Sequence, residues 1–423
     1  MARFLLAFAA TACAAKLGIF PNLTCPAAGS QLRTDTTPIG YCPGDFDIRG
    51  PRLEVVYESA LAPTGLGLAP NGDIYFTYAR NMEVQKWTLT KKVNFTSEVP
   101  WPSEKWQNCA AGQDVATCFV NVQNVVLDAE GVFWVIDSGV PNGASFPIAG
   151  APKIISFNIS TAQPIRTYIY PTSQYNAKLQ LNDIKINNTL GYAFITEDSS
   201  FGSITTLDLE AGTFIRHLYN TTYTKPDAQF TSMYNGEPIR NWNGTTPSYM
   251  SSGTNGIALA NGNCYWGIKS SHRYYFVSQK ALISNLTDAQ LGAKVEVPGT
   301  FPSEGAGYTA DDPPSQSRGR IYMMASEQNA ILYIDTLQSE MTDEINGVAP
   351  GGTGLVPTQN LIFKTFLRTA QAQAADTAAI LDGWLYFTTN QQGLAPLRQY
   401  RNIDRRVGPF RSYRAWIGRG PAE

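Results

Sequence analysis

Short apolar runs separated by glycine- and asparagine-rich turns recur six times along the chain. Each unit has a strand, a tight turn and a short aromatic strand, as in "TGLGLAPNGDIYFTYAR" from Thr64 and "VQNVVLDAEGVFWVIDSG" from Val122. The second strands, anchored at residues 75, 133, 193, 265, 322 and 386, follow one another at intervals of 57 to 72 residues. No helical run separates the units. Six units of about four short strands each predict an all-β fold, a six-bladed β-propeller.

The alternative organisation is an array of two or three β-sandwich domains, and the lack of a Pro/Ser-rich linker argues against it. We divide the chain into a signal peptide (1–15), an N-terminal segment that wraps the propeller (16–52), the propeller (53–400) and a basic C-terminal tail (401–423). The tail is expected to wrap the blades or to complete the last one.

The first residues have the three parts of a signal peptide. Arg3 precedes an apolar run over residues 4–10, and small residues follow at 12–15. The run is too short to span a bilayer. We therefore predict a protein that is secreted or lies in the secretory-pathway lumen, with no membrane span.

Sequons and cysteines agree with this location. Asn-x-Ser/Thr sequons, which predict a glycoprotein, occur at Asn22, Asn94, Asn158, Asn187, Asn220, Asn243 and Asn285. Disulfides are expected between Cys25 and Cys42 and between Cys109 and Cys118. Cys264 lies in a strand-like run and is expected to be a buried apolar residue.

The charges nearly balance, with 32 Lys+Arg against 34 Asp+Glu and a net charge of -2. Without a basic excess, nucleic acid is not an expected partner. Small organic molecules are, and the oligomeric state is left open.

Polar side chains collect at the strand ends that a propeller brings to one face. The first strand of each blade lines the central channel, so its start and the end of the second strand share one mouth. The first-strand starts supply Thr64, Asn124, Asn182, Asp183, Asn255, Glu304, Asp376 and Thr377. The second-strand ends supply Tyr78, Arg80, Asp137, Ser138, Glu197, Asp198, Lys269, Ser271, His272, Arg273, Glu327, Asn329 and Asn390. Convergent polar groups on apolar blades are typical of a ligand site, although such residues also cap turns.

The residue types limit the chemistry of this site. The sequence has two histidines, His217 in an outer-strand pattern and His272, so a multi-histidine zinc or iron site cannot be built. Calcium on oxygen ligands (Asn124, Asp183, Glu304, Asp376) is possible but not favoured, and we expect no cofactor.

We favour an acid–base or hydrogen-bonding site instead. Its expected catalytic residues are Lys269, His272, Arg80 and Asp183. Its expected ligand-binding residues are Tyr78, Asn124, Asn182, Glu197, Arg273, Glu327, Asp376, Thr377 and Asn390.

Several phrases resemble those of the yellow/major royal jelly protein family. They include "LNDIKINNTLGYAFITEDSSFGSITTLDLEAG", "VFWVIDSG", "GTNGIALA", "SSHRYYFVSQKAL", "SEQNAILYID" and "LDGWLYFTTNQ", in the family's order between residues 53 and 390. The resemblance implies a secreted, often glycosylated six-bladed propeller. Some members bind aromatic biogenic amines at the channel mouth, and others are linked to dopachrome conversion. By position, Thr377 and Asn390 resemble the amine-contacting residues of those binders, and Gln392 stands where the resemblance implies an aromatic residue near Asn390.

The signal peptide, sequons, length and six-blade plan also resemble the fungal hetero-Diels–Alderases of tropolone–sesquiterpenoid biosynthesis, which join a tropolone quinone methide to a humulene-type terpene. We favour this function, a cycloaddition without metal or covalent nucleophile. Lys269, His272 and Arg80 would donate hydrogen bonds, and Tyr78 and Trp266 would form an apolar wall. Ordinary blade packing is the alternative for Trp266. The other hypotheses are a non-catalytic binder of small aromatic molecules, a dopachrome-converting yellow-type protein, and a metal-dependent lactonase-type hydrolase.

Overall fold

A computed structural model of the chain describes residues 50–80, 86–109, 112–311, 319–336 and 361–422. The predicted signal peptide, Asn22 and the pair Cys25–Cys42 lie outside the described residues. The main sheets are six antiparallel blades, which confirms the six-bladed propeller. The first described strand, β1 (Leu53–Ser59), belongs to the sixth blade rather than the first.

Blades 1 to 3 each have four strands that follow one another from the channel outwards. Blade 1 contains β2 (Gly65–Leu68), β3 (Ile74–Thr77), β4 (Leu89–Lys92) and β5 (Glu98–Pro100). Blade 2 contains β6 (Val122–Leu127), β7 (Val132–Asp137), β8 (Lys153–Asn158) and β9 (Gln163–Ile169). Blade 3 contains β10 (Leu181–Asn187), β11 (Tyr192–Glu197), β12 (Ser203–Asp208) and β13 (Phe214–His217).

Two small hairpins lie between blades 3 and 4. They are formed by β14 (Met233–Tyr234) with β15 (Glu237–Pro238), and by β16 (Asn241–Asn243) with β17 (Thr246–Ser248). We call residues 229–250 the lid.

Blade 4 has three strands, and blade 5 has four. Blade 4 contains β18 (Thr254–Ala260), β19 (Asn263–Ile268) and β20 (Tyr274–Ser278), followed by the short helices α1 (Gln279–Leu282) and α2 (Asp288–Gly292). Blade 5 contains β21 (Tyr308–Asp311), β22 (Arg320–Ala325), β23 (Ala330–Asp335) and β24 (Lys364–Arg368). Single 3-10 turns lie at Glu104–Trp106, Val115–Thr117, Thr172–Gln174, Ser326–Gln328, Gln392–Leu394, Pro396–Arg398 and Tyr400–Asn402.

Blade 6 closes the ring with both ends of the propeller. It contains β25 (Ala375–Leu381), β26 (Trp384–Thr389) and β27 (Phe410–Trp416), and β1 pairs with β27 as the outermost strand. The propeller therefore extends past residue 400, and the tail completes the last blade. This closure stops the first and last blades from separating without breaking a sheet.

The burial of each strand follows its place in the blade. Second strands such as β7 and β11 are buried over most of their length because both of their faces pack against neighbouring blades. The outermost strand β9 is mostly exposed. Adjacent first strands pack closely at Gly256 and Gly307, where a Cβ atom would collide with the backbone oxygens of Ala306 and Asp376.

Candidate functional site

The lid lies across the mouth at which the first strands begin. The backbone N–H of Met233 donates to Glu327 Oε1 of blade 5 at 2.7 Å, and Tyr234 Oη donates to Gln373 Oε1 at 3.0 Å. Its second hairpin is bound to the segment between β26 and β27, because Gly244 N–H donates to Asn402 Oδ1 at 2.7 Å. The lid therefore connects blades 5 and 6 above the channel.

A small pocket lies directly under the lid; we call it the under-lid pocket. Its apolar side is formed by Tyr234, Ile239, Met250 and Ala374, which belong to one buried cluster with Phe230. Its polar side is formed by Ser232, Glu304, Ser326, Gln392 and Arg398. As it stands, the pocket has room for about one water molecule. A larger ligand requires the lid to move.

A cluster of charged side chains, all buried except the partly exposed Asp198 and Asp376, surrounds this polar side. We call it the channel-mouth cluster: Asp183, Asp198, Lys269, Glu304, Asp376 and Arg398. Lys269 Nζ donates to Glu304 Oε1 at 3.1 Å, and both side chains are less than a tenth exposed. Ser326 Oγ donates to the same oxygen at 2.7 Å. The second oxygen, Glu304 Oε2, is buried without a hydrogen-bond partner among the described residues.

Three asparagines hold three of these carboxylates in place. Asn124 Nδ2 donates to Asp183 Oδ1 at 2.7 Å, and Asn390 Nδ2 donates to Asp376 Oδ2 at 2.6 Å. Asn255 Nδ2 donates to Asp198 Oδ2 at 3.2 Å. These residues, which were predicted from the strand ends, therefore do contact one another in the structure.

The charges in the cluster shift one another's pKa values. The pKa of Asp376 is raised to about 6, and burial is the largest cause. The negative charges of Glu304 and Asp183 act in the same direction, whereas Lys269 and the hydrogen bond from Asn390 act to lower the pKa. Burial also raises the pKa of Asp198 well above its usual value, which favours the neutral acid.

Lys269 and Glu304 stabilise each other as ions. Burial alone would lower the pKa of Lys269, but Glu304 and Asp376 outweigh it and the pKa is raised. Burial alone would raise the pKa of Glu304, but Lys269, Ser326, Arg398 and Ser232 outweigh it and the pKa is lowered. The pair is therefore charged at neutral pH.

Two predicted site residues lie away from the cluster. Tyr78 is buried between blades 1 and 6, where its hydroxyl donates to Glu98 Oε2 at 2.8 Å and contacts Ser59 Oγ at 2.8 Å. Arg80 donates to the backbone oxygens of Val120 and Gln107, so it fixes the loop between blades 1 and 2. The expectation that they form a wall and a donor at the site is not supported, because their polar atoms are used elsewhere.

Arg273, His272 and Glu327 lie at the edge of the mouth. Arg273 pairs with Asp227 and donates to Thr222 O at 2.6 Å, which fixes the loop after β13 rather than a ligand. His272 Nε2 lies 2.7 Å from Glu327 Oε2, and that hydrogen bond raises the pKa of His272. Glu327 also accepts the lid N–H of Met233, so it positions the lid.

The remaining predicted residues have structural contacts. Thr377 Oγ1 donates to Thr64 O at 2.7 Å, which links blades 6 and 1. Glu197 is fully buried, accepts Ser199 N–H at 2.9 Å, and burial raises its pKa. Asn182 is partly exposed at the bulge of β10. Trp266 packs in the core of blade 4, and its indole N–H donates to Tyr223 O at 2.8 Å.

Arg398 and the lid were not identified from the sequence as part of the site. Arg398 is 8% exposed and donates to Asn241 of the lid. It precedes the predicted boundary at residue 400 and lies on the long connection between β26 and β27. The signal that could have revealed it is positional: the same connection in other blades carries Lys269 and Glu327.

The structure describes most of the predicted cysteine and sequon positions. Cys109 and Cys118 form a disulfide, as predicted, and Cys264 is a buried free thiol whose pKa is raised by burial. The sequon asparagines at 94, 158, 220, 243 and 285 are exposed. Asn187 is a correction: its amide is buried and donates to Gln279 Oε1 at 2.8 Å, so the folded chain leaves no room for a glycan there.

The described residues contain neither a cluster of metal ligands nor a membrane-spanning helix. Within the described ranges, no group of three or more His, Cys, Asp or Glu side chains is arranged to hold a metal ion. Lys269 and Arg398 supply positive charge beside the channel-mouth carboxylates, which disfavours a divalent cation there. Over the same part of the chain, no helix has the length and apolar character needed to cross a bilayer.

This geometry defines a six-bladed propeller with a lidded, charged channel mouth. Several solved structures are similar to this chain. A luciferin-regenerating enzyme matches with a TM-score of 0.50 at 14% identity, covering 88% of this chain and 97% of that one. A putative oxidoreductase (glucose dehydrogenase) from Thermus thermophilus has a TM-score of 0.48 at 12% identity, covering 86% and 99%. A gluconolactonase from Xanthomonas campestris has a TM-score of 0.45 at 11% identity, covering 86% and 90%. Comparison with curated protein sequences gives no match.

The family is established by sequence. The profile described as "Major royal jelly protein" matches residues 120–373, more than half of the chain. The chain belongs to the major royal jelly protein family, as its phrases indicated.

Proposed function

We propose that this protein is a small-molecule enzyme of secondary metabolism that acts under the lid. The best-supported reaction is a hetero-Diels–Alder addition that joins a tropolone quinone methide to a humulene-type sesquiterpene. The observation that carries this proposal is the two-sided lining of the under-lid pocket. Tyr234, Ile239 and Met250 suit a hydrocarbon partner, whereas Glu304 and Arg398 suit an oxygenated one.

The reaction requires little from the protein beyond alignment and hydrogen bonds. The oxygen and terminal carbon of the quinone methide form one C–O and one C–C bond with the alkene of the terpene. Six electrons shift in one step, and nothing is oxidised, reduced or released. Holding the partners in reactive alignment supplies much of the rate enhancement. Donors such as Lys269 or Arg398 near the heterodiene oxygen would stabilise the negative charge that grows there.

The lid gives this chemistry a further advantage. A quinone methide is electrophilic, so water would consume it before the second partner arrives. Closure over a pocket with room for about one water molecule would exclude bulk water during the addition. The lid must therefore open to admit both partners and close before reaction.

A non-catalytic binder of small aromatic molecules is the second candidate. The aromatic residues Phe230 and Tyr234 in the lid favour it, because their rings could stack on an aromatic ligand. A dopachrome-converting yellow-type activity would use the same pocket. The lactonase hypothesis has less support, since Lys269 and Arg398 compete with a catalytic cation for the carboxylates.

The test is product formation from a tropolone quinone-methide precursor and humulenol. We expect the protein to raise the rate and change the diastereomer ratio, measured by chromatography with mass detection. In Lys269→Met protein that melting curves show to be folded, the rate should be lower by about 100-fold, the usual effect of losing a preorganised donor. Lys280→Met, an equivalent change at an exposed lysine of α1, should leave it unchanged.

Three outcomes separate the hypotheses. A product ratio equal to that without protein contradicts the enzyme proposal, and precursor binding without turnover then supports the binder. Loss of activity with EDTA would favour the lactonase hypothesis instead.

The proposal includes passage through the secretory pathway. The leader at residues 1–15, the family and the disulfide between Cys109 and Cys118 support it. Enzymatic removal of N-linked glycans from the secreted protein should lower its mass. Peptide mapping should then find glycan at some of the exposed sequons and none at Asn187. A glycosylated Asn187 would contradict the described fold of blade 3.

A further inference from the structure

We propose that the polar side of the under-lid pocket recognises two adjacent oxygens on a neutral ligand, one a carbonyl and the other a hydroxyl. The carbonyl would accept a hydrogen bond from Arg398, and the hydroxyl would donate one to Glu304. This inference rests on the proposed function, because it names the group by which the oxygenated partner is held.

The first observation is the half-used carboxylate of Glu304. Its Oε1 accepts from Lys269 Nζ at 3.1 Å and from Ser326 Oγ at 2.7 Å. Its Oε2 is buried without a partner within hydrogen-bonding distance in the described part of the chain, although the Ser232 hydroxyl of the lid lies near enough to the carboxylate to help lower its pKa; both residues line the pocket. Buried polar atoms in folded proteins are nearly always paired, so this oxygen points to a group that arrives from outside the chain. Because an ionised carboxylate only accepts, that group must be a donor.

The second observation is the guanidinium of Arg398. A guanidinium has five N–H donors, and the described residues give this one a single hydrogen bond, to Asn241 Oδ1 of the lid. Arg398 lines the same pocket as Glu304 and is close enough to lower its pKa. The pocket is therefore lined by both a cationic donor and an anionic acceptor.

The mixed charges select the ligand class. A ligand carboxylate would be attracted by Arg398 but repelled by the ionised Glu304. A ligand ammonium would be attracted by Glu304 but repelled by Arg398 and Lys269. A neutral carbonyl next to a hydroxyl satisfies both residues without introducing a charge. The geometry thus favours an α-hydroxy ketone or its cyclic conjugated equivalent over an acid or an amine.

The experiment compares two probes that differ by one hydroxyl. Tropolone has adjacent carbonyl and hydroxyl groups, and tropone has only the carbonyl. Both would be titrated into the full-length protein by calorimetry, with EDTA present and below the pKa of tropolone so that the probe is neutral. We expect wild-type protein to bind tropolone at least about tenfold more tightly than tropone, the usual effect of one hydrogen bond to a charged group.

Two variants assign the discrimination to residues. Glu304→Gln should reduce the preference for tropolone to about threefold or less, since its acceptor is neutral. Arg398→Met should weaken the binding of both probes by about tenfold and leave the ratio of their dissociation constants unchanged. Arg368→Met, at an exposed arginine of β24, is the control and should bind both probes as the wild type does. Melting curves confirm that each variant is folded, and Arg398→Met provides the test if Glu304→Gln does not fold.

The outcomes also separate this inference from the proposed reaction. Equal binding of tropolone and tropone by the wild type would overturn the inference, and so would undiminished discrimination by folded Glu304→Gln. If both variants still form cycloadduct at the wild-type rate, the proposed reaction is supported and the proposed recognition site is contradicted. If tropolone binds more tightly than tropone as expected but no product forms, the recognition site is supported and the proposed reaction is contradicted.

Discussion

Two buried lysine–carboxylate pairs in this propeller have opposite characters. In blade 2, Lys153 Nζ lies 2.7 Å from Asp137 Oδ2, and both side chains are fully buried. At the channel mouth, Lys269 Nζ lies 3.1 Å from Glu304 Oε1 at nearly the same burial. Distance and burial alone do not distinguish the pairs.

Hydrogen-bond satisfaction does distinguish them. The Asp137 oxygens also accept the backbone N–H groups of Val120, Asn121 and Gly139 at 2.8 to 2.9 Å, and Lys153 also donates to Ala151 O at 3.0 Å. Glu304, in contrast, keeps one buried oxygen without a partner among the described residues. A buried ion pair is therefore structural when its polar atoms are all used, and it indicates a site when one is left beside a pocket.

The largest predicted effect is on the structural pair. Asp137→Ala would leave Lys153 charged and buried, and would remove the acceptor of three backbone N–H groups. We expect a loss of about 3–5 kcal/mol in the free energy of unfolding, measured by urea denaturation.

An exposed pair provides the control for this variant. Lys86 and Glu104 lie 2.9 Å apart with about two thirds of each side chain exposed. Lys86→Ala should leave the urea midpoint unchanged. A loss below about 1 kcal/mol for Asp137→Ala would contradict the distinction between the two buried pairs.

A smaller effect is predicted for the pH dependence of the channel-mouth cluster. The pKa of Asp376 is raised to about 6 in the fold, so its contribution to stability is fully present below its unfolded pKa of about 4. That contribution is lost as the pH rises through 6, because ionisation then costs more in the folded state than in the unfolded one.

Asp376→Asn removes this titration. The stability of the wild type relative to Asp376→Asn should therefore fall by up to about 3 kcal/mol between pH 4 and pH 7. Unfolding curves at several pH values measure the difference. A difference that is constant over this range would show that Asp376 does not titrate as its surroundings require.

Much of the fold and part of the site could be predicted from the sequence. The repeated strand–turn–strand phrase identifies six blades because each blade must bury the same alternating pattern against its neighbours. Strand ends also identified Asp183, Lys269, Asp376 and Asn390 as neighbours, since the blades are related by rotation about the channel.

The same rule failed for Tyr78 and Arg80. Successive strand residues point to opposite faces, so a position near a strand end does not say whether the side chain faces the channel. Tyr78 faces a blade interface instead, and Arg80 contacts the loop that follows. Arg398 was missed for a different reason: it lies on a connection without a repeating pattern.

The sequence by itself determined the number of blades, the family, and the polar character of the channel mouth. These follow from local periodicity and residue types, which short segments carry independently of one another. The tertiary structure alone decided that both termini of the propeller share blade 6, that the lid covers the mouth, and that Arg398 and Glu304 line one pocket there. These features join residues up to 360 positions apart, and their partners depend on how blades and connections pack rather than on any local pattern.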